Sequence, residues 1–183
     1  MRDLGCYADF TMPSGNSATQ ARMVNAIYWC KSDPHCPKSH DSGVPLTIGS
    51  PVAGDLLMIP GPLGIRWRDR MLPRLETGEL ASNDPATPYR VKRWIDLSPR
   101  VGTDCFVKLY THGAQERNSS ALLDGGLETA FNLLMAEARR RQSEIHFVSA
   151  WQMYLAIDSI RQRLNPLASI QSSEQVTWTS QPN

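Results

Sequence analysis

Phe106-Val107-Lys108-Leu109-Tyr110-Thr111-His112-Gly113 is the stretch on which the reading of this chain turns. Aromatic and β-branched residues favour a pleated, packed backbone, and Gly113 then releases the chain into a loop. The segment therefore predicts a buried strand that ends on a histidine. Barrels and open sheets of α/β proteins commonly place their chemistry at the carboxyl ends of strands. Among the four histidines of the chain, His112 is thus the candidate for catalysis. Its plainer reading is a core histidine hydrogen-bonded to backbone at a strand end.

The flanking segments alternate in type. Before the strand, Thr87-Pro88 predicts a helix start, with Thr as cap and Pro at the first helical position. Val91, Trp94 and Ile95, with Leu97, would form its inner face until Pro99 closes it. After the strand, Leu123, Leu127, Phe131 and Leu134 make the apolar stripe of a helix running from about Ser120 or Gly126 to Gln142. Ile145-His146-Phe147-Val148 reads as a short strand. Ser149-Ala150-Trp151-Gln152 fits a capping box that launches a helix with Met153, Tyr154, Ile157, Ile160 and Leu164 on one face.

The N-terminal half is less regular. Tyr7 to Thr11 predicts a strand, and so does the apolar run Asp55-Leu56-Leu57-Met58-Ile59-Pro60-Gly61. Between them, Ser17-Ala18-Thr19-Gln20 fits a capping box, and Met23, Val24, Ile27 and Tyr28 fall at helical spacing. An extended Ile27-Tyr28-Trp29-Cys30 is the alternative. Residues 31–54, rich in Pro, Ser, Gly, Asp and Lys, read as an irregular excursion with a short hairpin around Val44 to Ile48. Residues 62–86 read as a second loop-rich insertion, carrying Arg66, Trp67, Arg68 and Arg70. The domain is expected over residues 1–164, and residues 165–183 as a polar, disordered tail.

This alternation of strand and helix predicts an α/β layer or barrel with parallel strands. The pattern yields about four strands, whereas a closed barrel normally needs about eight. An open edge of that kind favours pairing with another chain, so a homo-oligomer is one expectation. Met1 to Leu4 reads as the last turn of a helix stopped at Gly5. A domain rarely opens on half a helix, and a missing N-terminal portion is the other expectation.

Composition narrows the partners. The chain has 183 residues and a formal net charge of +1. It carries no basic run beyond Arg139-Arg140-Arg141, which reads as a helix C-terminus, so no nucleic acid is expected. No apolar run approaches bilayer length, and Met1 to Cys6 lacks the apolar core of a signal peptide. A cytoplasmic protein without a membrane partner is the expectation. The four cysteines, Cys6, Cys30, Cys36 and Cys105, are too sparse for a disulfide framework and are expected as free thiols.

The segment from Val107 to Ile157 resembles the C-terminal end of the NodB-like polysaccharide deacetylases. The last motif of that family is a strand reading roughly Leu-x-His, followed by an amphipathic helix, a short strand and a closing helix. Leu109-Tyr110-Thr111-His112 matches the strand, with a spacer of two residues where the family has one. Leu123 to Arg141 matches the helix, and His146-Phe147-Val148-Ser149 the final strand and cap. Tyr7 to Ser14, Lys38-Ser39-His40-Asp41 and Gly61-Pro62-Leu63 look like a bacterial subgroup with long insertions. The resemblance covers most of the chain from residue 5 to about 160.

That resemblance implies a partial NodB-type (β/α) barrel with loop-rich insertions. It implies hydrolysis of carbon–nitrogen amide bonds on N-acetylated sugars, with a carbohydrate as substrate and His112 as the general acid on the leaving amine. For the full-length family it also implies a divalent metal, zinc in the first instance, held by a paired-Asp motif and a His-x-x-x-His motif. Neither motif occurs here: there is no Asp-Asp pair, and no two histidines are four apart. The metal polarises the acetamide and activates water, and an Asp of the same motif serves as base. No metal ligand and no cofactor is therefore assigned to this chain. It is expected to be a truncated form with little or no activity of its own. A non-catalytic carbohydrate-interaction module or remnant is the alternative.

Three further residues are candidates for the substrate. Arg66 and Trp67 suit a sugar or an acid, since Trp stacks on apolar ring faces and Arg forks onto anions. A solvated loop with Trp tucked inward is the plainer reading. His40 lies in a polar loop, either touching substrate or forming a solvated turn. Cys30, His35, Cys36 and His40 form a weaker zinc candidate, because they lack the ligand spacing of a structural zinc site. His146 reads as a partly exposed edge residue. Asp9 reads either as a group orienting a catalytic residue or as a turn former.

Overall fold

Residues 4–12, 18, 20–31, 33, 35–68 and 72–173 are described by the computed structural model. The segment Met1 to Asp3, two residues of the Ser17–Gln20 capping box, Arg70 and residues 174–183 lie outside them.

Short apolar runs between turn residues build the central sheet. Its strands are β1 (Ala8–Asp9), β2 (Tyr28–Cys30), β3 (Val44–Pro45) and β4 (Leu56–Met58), in the order β1-β4-β2-β3. β1 runs parallel to β4, pairing Ala8 with Leu57 and Asp9 with Met58. β2 is antiparallel to both β4 and β3. All three residues of β4 are buried, as a strand covered on both faces requires. Trp29, Leu57 and Ile59 pack on one face with Leu46, Phe106 and Ile157. Tyr28, Cys30, Leu56 and Met58 pack on the other with Cys6, Met12 and Met23.

β2 falls where helical spacing and an extended run compete as readings. The extended run forms. Asn25 adopts a left-handed φ of 54°, and Tyr28 and Cys30 then bury on one face of the sheet with Trp29 on the other. Burial on two faces between two partner strands outweighs a single helical stripe.

Residues 62–86, read as loop from the sequence, contain a regular antiparallel hairpin of β5 (Gly64–Arg68) and β6 (Leu72–Glu76). Its base packs on α1 (Pro88–Leu97), where Thr87 Oγ1 accepts the amide of Arg90 at 3.2 Å, as the cap reading requires. Val91, Trp94 and Ile95 of α1 join Leu80, Leu122, Ala130 and Leu134 in a second core. A small ribbon of β7 (Arg100–Val101) and β8 (Asp104–Cys105) turns at Gly102, whose φ is 63°.

Of the two expected starts for the helix running to Gln142, the one at Gly126 fits and the one at Ser120 is interrupted. α2 (Glu116–Ala121) meets α3 (Leu127–Arg140) through a kink at Asp124 and Gly125, where Gly125 has φ 99°. The Ser149 capping box forms at the start of α4 (Ala150–Arg161), with Ser149 N donating to Gln152 Oε1 at 2.8 Å and Gln152 N to Ser149 Oγ at 3.3 Å. Pro166 does not open a polar tail at once: α5 (Pro166–Ser173) packs on α4, and the Ser159 and Ser169 hydroxyls meet at 2.6 Å.

Among the described residues the two expected strands of the C-terminal half join no sheet. In 106–112 only Tyr110 bridges, in parallel with Glu79. Residues 145–148 join no described strand. Both segments border a groove of about 750 Å³ lined by Phe106, Val107, Leu109, Leu134 and Phe147. The class is mixed α/β, with sheets and helices. Among the described residues the strands close no barrel, and the expected all-parallel arrangement reduces to the β1–β4 pair. Among the described residues no helix is long and apolar enough to cross a membrane.

Candidate functional site

The segment leaving β6 sets the position of His112. Gly78, with φ 74°, bends the chain so that it can run beside Tyr110. Leu80 N then donates to Tyr110 O at 2.8 Å, and Tyr110 N to Gly78 O at 3.2 Å. This bridge brings Glu79 alongside His112, with Nδ1 of the ring 3.0 Å from Glu79 Oε1. The Tyr110 ring meets the imidazole edge-on at 5.8 Å and 78°. Its hydroxyl donates to Thr77 Oγ1 at 3.2 Å, and burial pushes its pKa up.

The backbone of His112 is held from the other side. Gln115 N donates to His112 O at 3.1 Å, and the buried Asn118 donates its amide to the same carbonyl at 3.4 Å. Asn118 Oδ1 in turn accepts Ser82 N at 3.0 Å. With Nδ1 engaged by Glu79, Nε2 is the ring atom left for a ligand, and the side chain is 59% exposed.

Beneath this pair lies a buried ionic cluster. Glu76 is fully buried and accepts Arg90 Nε at 2.9 Å, Arg90 Nη2 at 2.8 Å and Trp94 Nε1 at 2.9 Å. Arg66 Nε lies 2.9 Å from Glu76 Oε2, and Arg66 Nη2 lies 2.5 Å from Asp84. Burial would raise the Glu76 carboxyl, but hydrogen bonds from Arg90 and Trp94, with the Arg90 charge, hold it below the usual range. Arg90 also donates to Glu79 O at 2.7 Å. The cluster therefore fixes the backbone from which Glu79 reaches His112.

A second buried charge sits four residues earlier. Lys108 Nζ donates to Phe10 O and Met12 O, each at 2.7 Å, closing the turn after β1. Burial pushes its pKa down to about 8, opposed by the charge of Asp9. Asp9 Oδ1 accepts the amide and the hydroxyl of Thr11, each at 2.6 Å, which is the turn-forming role.

The remaining candidates lie apart from His112. Arg66, read as substrate-binding, is buried and its guanidinium is committed to Glu76 and Asp84. Trp67 is 56% exposed rather than tucked inward, with its amide donating to Tyr89 OH at 3.1 Å. His40 is half-buried in a 3-10 turn, Ser39–Asp41, and its carbonyl accepts Tyr28 OH at 2.7 Å. Its Nε2 lies 3.9 Å from Asp41 Oδ1. Lys38 and Arg22 reach the same carboxyl at 3.0 and 3.3 Å and hold its pKa low against partial burial. No hydrogen bond, ion pair or ring contact joins His112, Trp67 and His40 to one another among the described residues. His146 is partly exposed, 3.4 Å from Glu144.

All four cysteines are free; Cys30 is buried in β2 whereas Cys36 is exposed. Among the described residues no three His, Cys, Asp or Glu side chains form a group that could hold a metal ion. The set that a deacetylase metal requires does not assemble from them, and no step below runs through one. Glu79 is the candidate site residue that sequence reading missed, because the loop reading of 62–86 hid the hairpin that precedes it. The alternation Ile65-Arg66-Trp67-Arg68 was the available signal for that hairpin.

No protein-family model matches this chain, and it matches no curated protein and no solved structure.

Proposed function

We propose that this chain is the C-terminal part of a NodB-type polysaccharide deacetylase, a partial (β/α) barrel that serves hydrolysis of amide bonds on N-acetylated sugars. The observation that carries the reading is the His112–Glu79 pair at the end of the motif Leu109-Tyr110-Thr111-His112. Breaking the carbon–nitrogen bond of an acetamide leaves an amine that must be protonated as it departs. His112 is arranged for that step. Glu79 engages Nδ1 and orients the ring, which leaves Nε2 to deliver the proton. Tyr110 restrains the ring edge, and Gln115 and Asn118 restrain the backbone. Trp67 and His40 are the glycan contacts in this reading. Arg66 supports Trp67 through the hairpin rather than by touching sugar.

The paired-Asp and His-x-x-x-His motifs that supply the base and hold the metal in such enzymes do not occur in this sequence. The chain alone therefore contributes the acid and glycan contacts and turns over little or nothing. Titration with the tetramer of β-1,4-linked N-acetylglucosamine, followed by imidazole ¹⁵N resonances, tests this. The expected result is a shift of the His112 signals, a changed tautomer signature in Glu79→Gln, and no release of acetate. Absence of any shift at His112 refutes the assignment of the acid. Chelator-sensitive acetate release by the 183-residue chain refutes the view that it lacks the metal site. Glycan binding that leaves His112 untouched favours the non-catalytic carbohydrate module.

A further inference from the structure

The groove of about 750 Å³ lies between the two main apolar clusters of the fold. Its lining draws Phe106, Ala156 and Ile160 from the cluster on the central sheet. Ile95, Leu109 and Leu134 come from the cluster on α1. Protein interiors leave few spaces larger than a water molecule, and a space of this size is on the scale of ligand sites. Along α3 the lining residues are Phe131, Leu134, Ala138 and Arg141, a single helical stripe. At a rise of 1.5 Å per residue that stripe is about 15 Å long. Its two ends differ. At one, the Phe131 and Phe147 rings meet edge-on at 4.9 Å and 66°. At the other stand Arg141, Arg100 and the thiol of Cys105.

We propose that this groove binds a fatty acid, with the alkyl chain between the two clusters and the carboxylate on Arg100. Shape selects a linear molecule, since an extended chain of about ten carbons with its head group covers the length of the stripe. Charge selects an anionic head. Arg100 and Cys105 are cross-strand partners of the β7–β8 ribbon and so share one of its faces. The Arg100 guanidinium donates to Thr103 O at 3.1 Å and meets no carboxylate among the described residues. Its other N–H groups suit a carboxylate held by two parallel hydrogen bonds. Burial pushes the Cys105 thiol up, the charges of Arg100 and Arg141 oppose that push, and Asp96 adds to it. Both guanidiniums therefore lie near the thiol. Arg141 is committed to Asp96 and Glu137, so it adds positive field while Arg100 makes the contact. The acids of the rim leave Arg100 unclaimed. Glu144 is 75% exposed beside His146, and Asp104, paired with Val101, belongs to the other face of the ribbon. None of His112, Glu79, Trp67 and His40 lines the groove, so the inference stands independently of the deacetylase reading.

The test is calorimetric titration of the full chain with decanoate below its micelle concentration, with decan-1-ol as the uncharged control. Decanoate is expected to bind at one equivalent and at least about fivefold more tightly than the alcohol. Arg100→Gln is expected to remove that preference and to leave alcohol binding unchanged. Val148→Trp, a plug placed in a lining segment that joins no described strand, is expected to abolish binding of both with circular dichroism unchanged. Thiol labelling locates the ligand without any variant. Decanoate is expected to slow modification of Cys105 by at least about fivefold and to leave the exposed Cys36 unaffected. No binding, equal binding of acid and alcohol, or a preference that survives Arg100→Gln would overturn the proposal. So would undiminished binding by a folded Val148→Trp or an unshielded Cys105. Shielding of Cys105 by raised protein concentration alone would overturn it in favour of a second copy of the chain.

Discussion

β4 buries Leu56, Leu57 and Met58 against apolar neighbours on both faces, whereas β6 turns Glu76 inward and leaves Leu75 in solvent. Both strands belong to the same chain and both pair antiparallel with a neighbour. The central sheet is held by area removed from water, a force without direction that tolerates small shifts. The hairpin is held by Glu76, Arg90, Arg66, Asp84 and the Trp94 indole, an arrangement that works only while every partner is present. The difference teaches that a ribbon can be anchored firmly without hiding its apolar residues. It also means that Glu79, carried directly beyond β6, inherits its position from charge rather than from packing.

The comparison can be broken most directly at Glu76. Glu76→Ala leaves Arg90 and Arg66 facing each other in a buried site and is expected to cost about 3–5 kcal/mol in urea unfolding. It should also loosen Glu79 and move the His112 resonances. A cost below about 1 kcal/mol would mean that the cluster relaxes into solvent and that the hairpin is not charge-anchored. Leu57→Ala is the matching change in the sheet, expected to cost about 2–5 kcal/mol. It should leave the His112 resonances where they are.

Titration separates the two regions further. The folded carboxyl of Glu76 lies below its ordinary value, so its contribution is present above the unfolded value of about 4.3 and is lost as pH falls below it. Acid unfolding should therefore release the hairpin contacts first, read as loss of the Trp94 indole N–H signal in NMR. Lys108 works in the opposite direction. Its folded value of about 8 lies below that of an unfolded lysine, so the folded chain binds fewer protons between them. Stability should rise as pH increases from about 8 to about 10.4, by up to roughly 3 kcal/mol for this group. Lys108→Met should flatten that rise. The smallest effect is expected at the solvent face of the hairpin, where Ile65→Ser should change stability by no more than about 0.5 kcal/mol. A larger loss would show that the face is covered.

Much of the local structure was legible. Thr87-Pro88 and Ser149–Gln152 specify helix starts through their own side chains, and both caps form. The run from Asp55 to Gly61 reads as a strand because it is short, apolar and bounded by turn residues, and β4 lies within it. The hairpin was read as loop, since Ile65, Trp67 and Leu75 face solvent while Arg66 is buried, the reverse of the usual half-buried strand. The interior of 106–112 reads as a strand, yet among the described residues only Tyr110 forms a β-bridge. Composition reports that a segment suits a sheet; it does not supply the neighbour. For the site, His112 was visible through its residue type and the following glycine. Glu79, thirty-three positions away, was not.

The sequence by itself determined the caps, the turn glycines and the buried run of β4, because these depend on neighbours within a few residues, and it offered His112 as a candidate. It also determined that paired aspartates and spaced histidines are absent. Tertiary structure alone decided that Tyr28 to Cys30 is a strand, that Arg66 is a buried anchor rather than a surface contact, and that Glu79 meets His112. Each of those outcomes depends on groups brought together from distant positions, where burial and ion pairing compete, and local pattern carries no record of which of them wins.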